Sequence, residues 1–260
     1  MKTDDQRGVA VISDLDEKKS QLVVRSTVPV RKNYSDYREF LRYDFFFSCA
    51  YCTIAESEAQ AIRMTIDHYE PRNARPDLEN TYDNLMYACD ECNKRKGDRS
   101  PPPDARANGF RFMRSDQDFR DEHLECKGPR VEPKTNTGSY SIQTLDLNRL
   151  GLRRLREIRD RLAKCEIFAS DGVLALRKFH IDQLPQEIKG KASRAIGDAT
   201  STQSKISQEI DDLLRSYARS PLIEADPEAE ARDRDRAADL KSMEALFPGA
   251  WRAPRKKNSK

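Results

Sequence analysis

Two Cys-x-x-Cys pairs, Cys49-Ala-Tyr-Cys52 and Cys89-Asp-Glu-Cys92, constrain this chain more than any other feature. Each pair forms a short knuckle, and two knuckles supply the four ligands of a tetrahedral Zn²⁺ site with no position left open. Such a site is structural, and its metal binding is coupled to folding. The competing readings are four unrelated buried thiols and a redox Cys-x-x-Cys. Pairing on both sides argues against the first, and the lack of a thioredoxin-like βαβ pattern around Cys49 argues against the second. Six cysteines are present, and the other two, Cys126 and Cys165, stand alone. The start, Met1-Lys2-Thr3-Asp4-Asp5, leads into no apolar h-region. Unpaired spacing outside the knuckles and no secretory start favour metal ligation over disulfides and point to the cytoplasm. No apolar run reaches the length of a membrane span.

Between and just after the knuckles the pattern predicts strand, loop, strand, helix. Met64 to His68 reads as a strand, with Thr65 and Ile66 favouring it. Pro71, Asn73, Pro76, Asp77 and Asn80 make a loop of turn residues. Asn84 to Tyr87 reads as the second strand. Asp90 to Lys96 reads as a helix, stopped by Gly97 and then by Pro101-Pro102-Pro103. Ahead of this, Tyr34 to Tyr43 has helical spacing, and Phe45-Phe46-Phe47 reads as core behind the first knuckle, with a base-stacking platform as the sharper alternative. A short helix is expected over 55–63. Residues 104–139 read as irregular, and Ser139 to Gln143 as a returning strand. Helical character follows, with an apolar stripe at Leu152, Leu155, Ile158 and Leu162. Further helices are expected over 185–199, 203–217 (stripe Ile206, Ile210, Leu213, Tyr217) and 227–246, then a basic tail, 254–260. Residues 1–30 carry two apolar runs that suit a loose hairpin or an arm.

The residues inside the bracket have a different chemistry from the cysteines. His68 closes a strand just before a proline-bearing loop, and its imidazole can take a proton from water near neutral pH. Asp67 offers a hard anionic oxygen and Asn93 a neutral one, a pair suited to Mg²⁺, with Mn²⁺ as an alternative. Alone, a strand-end histidine is more often a satisfied hydrogen-bonding residue; the company of Asn84, Asn93 and the cysteines favours the base.

Asp67-His68, Asn84-Leu85 and Cys92-Asn93-Lys-Arg-Lys96, flanked by the cysteine pairs, resemble the HNH endonuclease motif. More narrowly, His68-Tyr-Glu-Pro71-Arg72 with Asn84-Leu-Met-Tyr-Ala-Cys89 and the helix after it is similar to the HNH proteins of retron and Septu-type antiphage systems, and Tyr140 to Arg149 resembles an ending found in that group. The resemblance implies an α+β protein: a zinc-stapled ββα-metal nuclease module, here 31–143, after an N-terminal arm, 1–30, and before a helical module with a basic tail, 144–260. It implies that His68 activates water, that Asp67 and Asn93 ligate Mg²⁺, that Asn84 braces the loop and orients His68, and that Lys96 and Arg72 meet the phosphate. The third position is Asn93 rather than histidine, which keeps an oxygen ligand and favours Mg²⁺ over a softer ion.

The expected partner is nucleic acid, DNA in the first place, with a defence-system ATPase as a candidate protein partner and no membrane. Net charge alone does not show this, since 47 basic residues face 44 acidic ones. From Arg149 to Lys164, however, seven basic residues stand against two acidic. Either Arg153 and Arg156 lie along a nucleic-acid backbone, or these arginines pair with acids of a neighbouring helix, for which 221–240, with seven acidic residues and three basic, is a candidate. A zinc-knuckle binding or assembly subunit without cleavage activity is the rival function. Asp67, His68, Asn84 and Asn93 argue against it, because a binding module needs no such set.

Overall fold

The structure, a computed structural model, describes residues 22–59, 62–177, 189–194, 197–198, 201, 205, 208 and 225–254, with side chains of the long helix up to 164. The expected order inside the bracket is present. Strands β1 (Met64–His68) and β2 (Leu85–Cys89) are antiparallel, in register from Met64 opposite Cys89 to His68 opposite Leu85. Every residue of β2 is buried, so the strand reads as a continuous apolar run rather than an alternating one. Helix α3 (Asp90–Lys96) follows at once, and the Cys89 sulfur accepts the Cys92 N–H at its start, 3.4 Å. The helix stops at Gly97, whose φ of +52° lies in the region glycine tolerates and whose N–H reaches the Asn93 carbonyl, 2.9 Å.

Ahead of β1, a 3₁₀ turn (Tyr34–Tyr37) leads into α1 (Arg38–Asp44), and α2 (Glu56–Ala59) is shorter than the helix expected over 55–63. Tyr37, Leu41 and Phe45 are buried in the same core as Leu85 and Tyr87. Of the three consecutive phenylalanines only Phe45 is core: Phe46 is 66% exposed and Phe47 42%, both at positive φ. The end of the N-terminal arm is pinned. Ser26 N–H and Oγ–H both donate to Asp44, and Arg25 donates to the Leu85 carbonyl, 2.8 Å.

Residues 104–139 are more ordered than their composition predicts, with α4 (Pro103–Ala107), α5 (Arg120–His123) and the hairpin β3 (Leu124–Lys127)/β4 (Arg130–Pro133). The strand expected over 139–143 is instead part of α6 (Asn136–Leu145). Thr135 caps it by accepting the Gly138 N–H, and Thr137, Tyr140, Ser141, Thr144 and Leu145 are buried along one helical stripe. The four-residue alternation at 140–143 was too short to separate a period of 2 from one of 3.6. Asp146, in the left-handed region at φ 50°, ends the helix. Helices α7 (Leu150–Arg177) and α8 (Ala229–Leu246) follow, and α6 packs against both α3 and α8.

Leu152, Leu155 and Ile158 are buried as the stripe predicts, but Leu162 is 38% exposed. Leu152, Leu155, Leu240 and Trp251 belong to the same buried cluster as Leu85 and Tyr87, and the boundary expected at 143/144 falls inside α6. Among the described residues no helix is long and apolar enough to cross a membrane. The run at Val9–Ile12, Cys165, His180, the stripe from Ile206 to Tyr217, most of 185–217 and the tail from 255 lie outside the described residues or side chains.

Gly138 marks the tightest approach in this packing: a Cβ there would stand 2.0 Å from the His123 carbonyl oxygen. Backbone cannot give way cheaply, so Gly138→Ala is expected to cost about 1–3 kcal/mol, as overpacking usually does. Urea denaturation of the variant would show this as a lower midpoint at unchanged slope, and an unchanged midpoint would contradict the packing described.

Candidate active site and metal centres

The four knuckle cysteines converge. All are buried, and their sulfurs lie within 4.8 Å of one another, Cys52 and Cys89 at 3.7 Å. A tetrahedral ion with Zn–S bonds near 2.3 Å needs sulfurs about 3.8 Å apart, so the set fits zinc. Hydrogen bonds from Cys49, Cys89 and Cys92 hold the Cys52 thiol well below the usual range, while burial pushes Cys49 up and bonds to the other three push Cys92 up. Arg149 is buried beside them, its Nη2 3.9 Å from the Cys92 sulfur. Burial opposes its charge, and the thiolates outweigh that and raise its pKa. The first knuckle is held from outside by α7, where Arg159 donates to the Thr53 carbonyl, 2.8 Å, and pairs with Glu58, and by Arg120, which donates to the Tyr51 carbonyl, 2.9 Å.

The second group lines an open cleft of about 210 Å³, with Asp67, His68, Arg72, Asn73, Asn93 and Asp98 on its walls. β1 places Asp67 and His68 at its end, both under 10% exposed. His68 Nε2 donates to the Glu79 carbonyl, 2.9 Å, and Tyr34 meets the ring edge-on, centroids 4.8 Å apart. A neutral imidazole whose Nε2 carries the proton keeps its lone pair on Nδ1. Burial lowers the His68 pKa below the usual 6.5, with Arg72 acting the same way against the Glu79 hydrogen bond, Asp67 and Glu79. Asn84 holds the loop that presents Glu79: its Oδ1 accepts the Glu70 N–H, 2.8 Å, and its Nδ2 donates to the Glu70 and Leu78 carbonyls, 3.1 and 3.2 Å. Asn93 Nδ2 is spent on Thr65 Oγ1, 2.9 Å, which leaves Oδ1 as its acceptor. Asp67 and Asn93 therefore bring two hard oxygens to one cleft, a set that fits a small divalent ion retaining several waters.

Three expected phosphate contacts are placed otherwise. Lys96 is 1% exposed; its Nζ donates to the His68 carbonyl, 2.6 Å, and lies 3.1 Å from Asp67 Oδ2, above the Phe112 ring. It supports the site from beneath and cannot meet a phosphate in solvent. Arg153 pairs with Glu228, 2.9 Å, and Arg156 donates to the Pro129 and Leu147 carbonyls. A charge count along a helix cannot show that these guanidinium groups have partners, although the acidic 221–240 stretch is indeed one of them. Arg72 does reach the cleft, its side chain 53% exposed and loosely paired with Glu79, 3.2 Å. Sequence reasoning missed Tyr51, whose hydroxyl donates to Asp67 Oδ2, 2.5 Å. Its place inside the first Cys-x-x-Cys was the only available signal.

A family model described as HNH endonuclease matches residues 49–99, the span from the first knuckle to the turn after α3. No curated protein and no solved structure matches the chain.

If Lys96 is the buried counter-ion of Asp67, Lys96→Met should cost about 3–5 kcal/mol, the usual effect of leaving one member of a buried pair alone. Thermal melts of the zinc-containing chain would show it. A variant as stable as the unmodified chain but weaker in nucleic-acid affinity would instead return Lys96 to the phosphate.

Proposed function

We propose that the chain is a divalent-metal-dependent endonuclease that hydrolyses phosphodiester bonds in nucleic acid, DNA in the first place. The observation that carries this reading is the fixed tautomer of His68, with Nε2–H held by the Glu79 carbonyl, in a cleft shared with Asp67 and Asn93. The HNH match over 49–99 supports it independently.

His68 Nδ1 accepts the proton of a water that attacks the phosphorus, and the proton stays on the imidazole until solvent removes it. Desolvation keeps the ring neutral, and so ready to accept, at pH values where an exposed histidine is partly charged. Arg72, at the cleft rim, binds and orients the phosphate. Asp67 and Asn93 would hold Mg²⁺, or Mn²⁺ in its place, and the ion would supply charge neutralisation at the phosphate and the leaving 3′ oxygen. Asn84 acts through the loop, fixing the carbonyl that sets the His68 tautomer. The expected products are a 5′ phosphate and a 3′ hydroxyl.

A role in bacterial antiphage defence, with cleavage set by a partner such as an ATPase, belongs to this proposal through the resemblance of 68–96 and 140–149 to retron and Septu-type proteins. A cytoplasmic location goes with it, because reducing conditions keep four thiolates available as ligands. The α7 stripe adds nothing to the partner reading, since Leu152, Leu155 and Ile158 are buried in the core.

His68→Ala is expected to lower the cleavage rate by ~10²–10⁴ with zinc content, melting temperature and DNA affinity nearly unchanged. Gel assays with Mg²⁺ and a DNA substrate measure it, and undiminished cleavage by the purified variant would remove the mechanism. The pH profile follows from the same residue. With the folded pKa below the ordinary value near 6.5, the rate should stay level through neutrality and fall only as acid protonates the ring. A loss that begins above pH 7 would contradict a desolvated base.

A further inference from the structure

Residues of α3 and the turn after it serve two clefts. Asn93, Gly97 and Asp98 line the one described above, whereas Arg95 and Arg99 line another, closed by α8 and Arg252. The second is the larger, about 410 Å³ against about 210 Å³. Its charge is one-sided: Arg236, Lys241 and Arg252 join Arg95 and Arg99, and only Asp233 and Glu244 face them from the lining. Three of these cations are paired, Arg99 with Glu244 at 3.1 Å, Arg236 with Asp233 at 2.6 Å, and Arg95 with Glu91 and the buried Asp146 at 3.5 and 3.6 Å. Lys241 and Arg252 are exposed and have no side-chain hydrogen bond or ion pair among the described residues.

The cleft therefore lacks negative charge. An apolar or cationic occupant would leave Lys241 and Arg252 without a counter-charge, and a single carboxylate brings one charge against these two cations. A run of phosphates brings one for each, and Arg forks bind phosphate well. We propose that this cleft binds consecutive phosphate groups, from a nucleic-acid strand or from a free polyphosphate such as a nucleoside triphosphate. Backbone pairing links it to the first cleft. Arg99 is bridged to Arg252, the Ser100 N–H donates to the Trp251 carbonyl, 2.9 Å, and the Ala253 N–H donates to the carbonyl of Asp98, 2.8 Å. The site stands on its own charges and does not depend on cleavage at His68.

The test uses the full zinc-containing chain without added Mg²⁺, so that nothing turns over. Inorganic triphosphate is titrated by calorimetry and a labelled short DNA duplex by fluorescence anisotropy, on the unmodified chain and on Lys241→Ala/Arg252→Ala. The altered side chains are exposed and unpaired among the described residues, so the melt should not move; Lys241→Ala alone, on α8, gives the same reading if it does. The double variant is expected to bind roughly tenfold or more weakly, the effect of losing charge-assisted hydrogen bonds. If both probes weaken and triphosphate displaces the duplex, the site takes a strand. If triphosphate alone weakens, it takes a free polyphosphate. Affinities for both probes that the substitutions leave unchanged, or an unmodified chain that binds neither, would overturn the proposal. Because binding is read without turnover, an inactive His68 would not produce that result.

Discussion

The sulfur cluster is the constraint on which the candidate site depends. It joins two stretches distant in sequence, and each delivers a side chain to the candidate site. From the first knuckle comes Tyr51, whose hydroxyl fixes Asp67. From the second comes α3, which starts on Cys89 and carries Asn93 to the cleft and Lys96 beneath it. A zinc ion with four thiolates would leave a net charge of minus two in a buried place. Arg149 provides a counter-charge there, while Arg159 and Arg120 hold the knuckle backbone. Part of the basic helix is thus explained by the cysteine cluster it covers.

Asp67 is the point where this scaffold meets the chemistry. A buried carboxylate needs partners, and it has two, the Tyr51 hydroxyl and the Lys96 ammonium. Oδ1, which accepts from Lys96 alone, keeps a lone pair for a cation in the cleft. His68 is fixed from the other direction, through a loop that Asn84 clamps by three hydrogen bonds and whose Glu79 carbonyl selects the tautomer. The two functional residues are neighbours in sequence, yet they are positioned by separate networks. A change in the loop should therefore disturb the proposed base, His68, before the proposed metal ligands, Asp67 and Asn93.

What the sequence made legible was local. The Cys-x-x-Cys spacing, the turn residues after Pro71 and Gly97 at a helix end carry their meaning within a few positions, and β1 and α3 lie where these signals put them. Asn84 as a brace rested on family resemblance, and its hydrogen bonds agree with that role. What stayed hidden depends on tertiary neighbours. Lys96 looks like a surface cation next to Lys94 and Arg95, and only packing against Phe112 and Asp67 shows that it is interior. Arg153 and Arg156 have partners from residues far along the chain or from main-chain carbonyls, which no charge count contains. The helix over 136–145 was masked by a short alternation whose polar member Ser141, like Thr144 just after it, is buried where period-2 alternation assigns it to solvent.

The central claim is that a metal held by Cys49, Cys52, Cys89 and Cys92 organises both the fold around β2 and the cleft beside it. Elemental analysis of the purified, folded chain tests it most directly. The account predicts one zinc per chain, retained through dialysis against a weak chelator. A chain that is fully folded by thermal melt and contains no metal would contradict it.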